Sequence, residues 1–344
     1  MSGLAPEVVS QRFRLDWTAD MNDAVTALQW EADGDLLTGD ASGDINRFTP
    51  AGERIHHWHA HNGAVLKVCP KPTGQCVATS GEDGSIRLWD STGGIMQVLV
   101  EGDGWIEQLA WKQDGQWLGA ATGKKIYQWD DTNACEAWYQ TLRNIQAMAW
   151  SPSGMKLALA VNKGVFLWAP SDKQPRELMS FPGAAISLAW KPDGSALAAG
   201  TQDGFLHVWR RQIGANAKLL TMRGYQGKVS CLEWHPLKDT IATAGGKDIV
   251  IWGPLHQKGG GSPLPVAHHR TTITCLSYEP SGYYLASGDR DGLVCIWDGK
   301  GKLVQQWQGQ HEITVLRWDA EGNRLITGDT HGRLNAYMTN MELS

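Results

Sequence analysis

The sequence predicts an all-β ring built from eight copies of one antiparallel unit, and three observations carry that prediction. Aromatic residues close a strand at Phe48, Trp89, Trp129, Trp168, Trp209, Trp252, Trp297 and Tyr337, at spacings of 41, 40, 39, 41, 43, 45 and 40 residues. A period near ~40 residues along a whole chain marks a repeat architecture. Ahead of each closing strand stand a strand ending on a bulky residue, a glycine turn and a strand of small side chains. A spare strand precedes the first complete copy, so the two ends have something to exchange.

Each element follows from local chemistry. The first strands are read as ending at Trp30, Val68, Trp111, Trp150, Trp190, Trp234, Tyr278 and Trp318. Seven run into Pro or an acidic residue near Gly, as in Trp190-Lys191-Pro192-Asp193-Gly194. These are hairpin turns, because Pro presets φ and Gly accepts φ > 0. Two aromatics per unit account for most of the 18 Trp. Second strands such as Val77-Ala78-Thr79-Ser80-Gly81 and Leu285-Ala286-Ser287-Gly288 suit the crowded space where neighbouring sheets meet. Units are expected near 24–60, 61–100, 104–142, 144–180, 184–222, 227–267, 271–308 and 312–340, numbered 1 to 8 below. Unit 8 lacks a fourth strand. At the other end Phe13, Leu15 and Trp17 alternate with Arg12, Arg14 and Asp16, the period-two pattern of a half-buried strand. Residues 11–17 are therefore expected to complete unit 8, leaving only short, protected sheet edges.

These residues resemble the WD40 family of β-propellers. The family's Asp-Gly turn stands at Asp83-Gly84, Asp203-Gly204 and Asp291-Gly292, and its Trp-Asp dipeptide at Trp89-Asp90, Trp129-Asp130 and Trp297-Asp298. With the repeat count, the resemblance implies an eight-bladed WD40-type β-propeller closed by pairing of the N-terminal strand with the C-terminal blade, as one domain over 1–344. It also implies a hydrogen-bonded network of His, Ser or Thr, Asp and Trp in each blade. Unit 2 matches it with His61, Ser80, Asp83 and Trp89, and unit 7 with His269, Ser287, Asp291 and Trp297. Units 6 and 8 depart from it, with Tyr225 at the His position and His331 at the Asp position.

Composition narrows the function. A formal net charge of −5 with both signs interspersed disfavours general nucleic-acid binding, which needs a basic field. No window approaches ~18 apolar residues, so no spanning helix is expected. Met1–Ser10 lacks the basic and apolar regions of a secretory signal. Six scattered Cys without CxxC pairing fit a reduced, cytoplasmic protein. The stretch Lys258-Gly259-Gly260-Gly261-Ser262-Pro263 reads as a loop insertion rather than a phosphate cradle.

Because one fold serves many activities, function must be argued from sites. The resemblance implies a non-enzymatic scaffold that binds a protein or peptide; no cofactor is expected, and a monomer is the default where the sequence leaves the oligomeric state open. Loops entering first and third strands share a direction of chain travel, so they should form one face. There the binding candidates are Glu82, Trp105, Arg143, Gln202, Tyr225, Lys228, Arg270, Arg290 and Glu312. Trp, Tyr and Arg are the types that concentrate binding energy, although Trp105 and Tyr225 could equally replace His or pack over a blade edge. Cations outnumber acids in that set and favour a partner with an acidic segment.

Two other readings compete with this one. His57, His59 and His61 would point to one side of a strand at ~6.5–7 Å steps, where imidazoles could share a zinc ion; that suggests a metal-handling accessory protein. The competing assignment gives His61 to the blade network and leaves the others solvated. An enzyme holding a cofactor in the channel is the second alternative, but no nucleophile or acid–base constellation can be assembled from the sequence.

Overall fold

The computed structural model describes residues 12–340, except 75, 103, 131–134, 170–171, 173–176, 211–217 and 257–260, with the backbone but not the side chains of 135–138 and 177. In each unit the chain meanders outward from an inner strand to an outer one. Unit 7 shows the pattern: Ile273–Tyr278, Tyr284–Asp289, Leu293–Asp298 and Leu303–Gln308 pair in that order, antiparallel. The second strands Leu36–Asp40, Val77–Gly81, Ala196–Thr201 and Ile241–Ala244 are buried end to end. That position tolerates Ala, Gly, Ser and Thr because neighbours press on both faces.

The buried apolar residues divide into clusters, most lying at the junction of two consecutive units. One joins Cys231, Ala242 and Ile249 of unit 6 to Ile273, Leu276 and Tyr278 of unit 7. Another joins Val25, Leu28, Leu36 and Phe48 of unit 1 to Ile326, Leu334 and Ala336 of unit 8, so the series closes on itself. Indole N–H groups tie the same junctions. Nε1 of Trp111, Trp150, Trp190, Trp234 and Trp318 donates to the carbonyl of Cys69, Ala110, Ala149, Ala189 and Ser277, each in the preceding unit, at 2.9–3.2 Å. In unit 2 the inner strand Val65–Pro70 ends at Pro70, not Val68, and Pro70 occupies the Trp position.

Closure uses the N-terminal strand. It spans Phe13–Asp20 and pairs antiparallel with Arg333–Thr339, from Phe13↔Thr339 to Asp20↔Arg333. Gln11, expected to open it, lies outside the described residues, as do Lys258, Gly259 and Gly260 of the glycine stretch; Ser262 and Pro263 already belong to the outer strand Ser262–Ala267. At this junction the Trp30 indole N–H is buried without a partner. Closure depends instead on Phe13, on Thr314 Oγ1 donating to the Val25 carbonyl at 2.5 Å, and on Trp17 stacked over Phe48.

The expectation of eight separate four-stranded blades is corrected. Among the described residues the strands form seven hydrogen-bonded sheets, six of four strands and one of six that carries units 4 and 5 together. Strand Leu157–Trp168 runs without a break through the second and third positions of unit 4. Strand Glu177–Trp190 runs from the outer position of unit 4 into the inner position of unit 5. The cause is the pair Asn162↔Ala184, which bridges the gap that a loop occupies elsewhere. Eight sequence repeats are thus distributed over seven sheets.

Candidate binding face and central channel

Register fixes which loops share a rim. Val65 pairs with Gly81 and Ile273 with Asp289, so the start of each inner strand lies beside the end of the second strand. On this rim Trp105 is 58% exposed, and Gln202, Lys228, Arg270 and Arg290 are exposed. Arg143 is half-buried and donates to the Asn162 carbonyl at 3.0 Å. Glu82 is half-buried, its carboxylate 3.3 Å from the Ala64 N–H, and Glu312 lies 3.7 Å from Arg290. Tyr225 does not stand free for a partner: its hydroxyl is 2.5 Å from Thr243 Oγ1 and accepts from Trp252 Nε1 at 2.6 Å. Burial pushes its phenol up to about 12. The rim also carries Lys124, Asp23, Asp203 and Asp291, all exposed, which sequence reasoning left uncounted. Cations still concentrate in units 4, 6 and 7, at Arg143, Lys163, Lys228, Lys247, Arg270 and Arg290.

The blade network differs from its predicted membership. In unit 2, Thr79 rather than Ser80 takes the central place: His61 Nε2 lies 2.7 Å from Thr79 Oγ1, which also accepts from Trp89 Nε1 at 2.8 Å. Ser80 faces the other side of the strand and donates to the Ile106 carbonyl. His61 Nδ1 lies 2.9 Å from Asp83. Burial pushes the Asp83 carboxyl up, but His61 and Arg87 outweigh it and hold it well below the usual range. In unit 7, His269 bridges Ser287 and Asp289, each at 2.7 Å, and Trp297 donates to Ser287 at 2.9 Å. Asp291 is exposed and takes no part. The carboxylate comes from two residues earlier than in unit 2, where Gly81 occupies that place.

The three histidines do not converge. His61 is buried in the network, while His57 and His59 both turn to Asp44, at 3.3 and 2.8 Å. Among the described residues the one triple of metal-type ligands is Glu31, Asp33 and Asp35, and Arg47 lies among them at 2.6–3.0 Å. Burial raises Glu31 to about 7 despite Arg47.

Inner strands of all eight units line one central channel of about 580 Å³. Its charged lining residues are Lys67, Glu233 and Arg317. Desolvation raises the Glu233 carboxyl to about 7, with Arg317 pulling the other way. Most of the wall is Leu, Val, Ala, Thr, Ser and Gln.

A family model described as "WD domain, G-beta repeat" matches residues 52–90, 175–210, 216–253 and 261–298, and the repeats between these stretches share their strand order. The chain belongs to the WD40-repeat β-propeller family. Among relatives of this propeller, Arabidopsis thaliana "Cell division cycle 20.1, cofactor of APC complex" is 29% identical over 48% of this chain and 38% of its own length. Human "F-box-like/WD repeat-containing protein TBL1X" is 29% identical over 33% of this chain and 22% of its own. Arabidopsis thaliana "THO complex subunit 3" is 28% identical over 43% and 47%. The matched stretches therefore span less than half of each relative. In fold, the propeller is similar to the computationally designed Ika8 protein, with a TM-score of 0.79, 21% identity and coverage of 93% and 97%. It is likewise similar to the C-terminal WD40 domain of Sif2, with a TM-score of 0.81, 16% identity and coverage of 96% and 99%.

Proposed function

We propose that this WD40 chain is a non-enzymatic scaffold that holds a protein or peptide partner on its loop-bearing face and channel mouth. The observation that carries the reading is Trp105, a large indole left 58% exposed on a rim that also carries exposed Arg270 and Arg290. An exposed aromatic beside Arg is the composition of a binding hot spot. The relatives' names point the same way, since one is described as a cofactor of a complex and another as a complex subunit. The cation excess in units 4, 6 and 7 favours a partner with an acidic segment. Buried free thiols at Cys76, Cys231 and Cys295 support a reducing compartment such as the cytoplasm.

Charge reversal tests the face. Arg270→Glu with Arg290→Glu should weaken binding of an acidic peptide selected on the wild type by about tenfold at low salt, since exposed pairs contribute up to ~1 kcal/mol each. The loss should shrink as salt rises. Equal affinity of variant and wild type at low salt would remove the assignment of this face.

A further inference from the structure

Four residues before the buried residue that opens or shortly precedes each inner strand stands the position that faces the blade network. Reading from unit 1, these are Met21, His61, Gly102, Thr141, Phe181, Tyr225, His269 and Gly309. Unit 8 keeps the rest of the network: Thr327 aligns with Thr79 and Ser287, Asp329 with Asp289, and Tyr337 with Trp89 and Trp297. Only the ring is missing, because its position is Gly309. The backbone there is unchanged, with Gly309 N donating to the Gly292 carbonyl as His61 N donates to that of Gly43.

Unit 1 faced the same problem and filled the hole, with Met21 Sδ 3.3 Å from Thr38 Oγ1. Unit 8 leaves it open. A cavity of about 770 Å³ reaches the surface there, lined in part by Trp307, His311, Asp329, His331 and Tyr337. Asp329 Oδ1 accepts the N–H groups of His331 and Arg333 at 2.8 and 2.9 Å. Its other oxygen corresponds to the one that meets His269 in unit 7. Thr327 Oγ1 is buried behind the lining residues, beside the Tyr337 phenol. Arg333 is already turned to Asp20. The walls are flat rings: Trp307 stacks on Tyr337 at 4.0 Å, and His311 on His331 at 3.5 Å.

The geometry points to a binding site for an imidazole ring, as a histidine side chain carries, held between Asp329 and Thr327 where units 2 and 7 hold their own. In those units the ring spans a carboxylate at 2.7–2.9 Å and a hydroxyl at 2.7 Å. A guest ring gains the same two contacts. The site is independent of the acidic-partner reading.

Imidazole itself is the probe, titrated at constant ionic strength and pH 8, above its ordinary pKa. The amide resonances of His331 and Arg333 should shift saturably and the melting midpoint should rise. Gly309→His should supply the ring internally, raising the midpoint and abolishing the response; a Cβ there would lie 3.1 Å from the Gly292 carbonyl oxygen, a close contact that a small backbone shift relieves. Thr327→Val keeps the shape and should weaken imidazole at least threefold, giving a second readout should Gly309→His not fold. Methylammonium should bind at least tenfold more weakly than imidazole. Absence of a saturable response in the wild type, equal affinity of the Thr327→Val variant, or a matching response to methylammonium would each overturn the assignment.

Discussion

The ring's closure can be tested at one side chain. Phe13 is 1% exposed and packs edge-on against Tyr284 and Trp307 and tilted against Trp318. Its backbone is clasped by Gln305, which accepts from Phe13 N at 3.0 Å and donates to Phe13 O at 2.6 Å. Two residues on, Leu15 belongs to the same strand but is 51% exposed. Phe13→Ala leaves a cavity among rings that cannot collapse, at a cost of about 3–5 kcal/mol. With 344 residues and ~2.1 cal/mol/K per residue, the unfolding entropy is about 0.7 kcal/mol/K, so the midpoint should fall by about 4–7 °C. Leu15→Ala removes a side chain already half in water and should cost below ~1 kcal/mol, or about 1 °C. Calorimetry and guanidinium melts of the two variants give the comparison. Equal shifts would mean that the N-terminal strand does not seal the ring, because a strand merely lying on the surface would be indifferent to which of the two side chains is trimmed.

Three further outcomes are expected. Thr79→Val should destabilise by about 2–4 kcal/mol, since it strands the Trp89 indole N–H and one nitrogen of His61 in a buried site; Ser80→Ala, which leaves the network intact, should cost less in the same denaturant melt. His207 is held neutral by burial, its pKa lowered to about 4; a base depressed in the folded state is stabilising above its unfolded pKa of ~6.5 and loses that contribution as pH falls towards 4. His207→Phe, which keeps the packing against Phe181, should therefore flatten the dependence of melting midpoint on pH between 6.5 and 4. Equilibrium dialysis with Zn²⁺ should find the same low uptake by wild type and by His57→Ala/His59→Ala, because Asp44 holds both rings apart from His61; a loss of one equivalent in the variant would contradict that geometry.

Periodicity and turn chemistry made the strand order and the identity of the closing strand legible, because both depend on the spacing of aromatics and on alternation, which survive in a single chain. The sheet count was not legible. Whether unit 4 ends in a loop or runs on as strand depends on the Asn162↔Ala184 pair, a contact between residues 22 apart that no local signal announces. Network membership failed for a related reason. In Thr79-Ser80 and Asp289-Arg290-Asp291 two candidate side chains of the same chemistry stand one or two residues apart, and only register decides which faces the ring. Unit 2 takes Asp83 because Gly81 offers no carboxylate, whereas unit 7 takes Asp289 and leaves Asp291 in solvent. Once register is known, the choice becomes a rule: the carboxylate opposite the first inner-strand residue is used where it exists. That rule selects Asp40 in unit 1 and Asp329 in unit 8, and in both a network carboxylate is built without its histidine. Asp40 Oδ2 is buried without a partner behind Met21, a cost the ring absorbs, while Asp329 opens on a cavity. The same vacancy therefore has two consequences, an unsatisfied carboxylate oxygen in the core of one unit and an accessible receptor in the other, and the difference lies in whether methionine or glycine stands four residues before the inner strand.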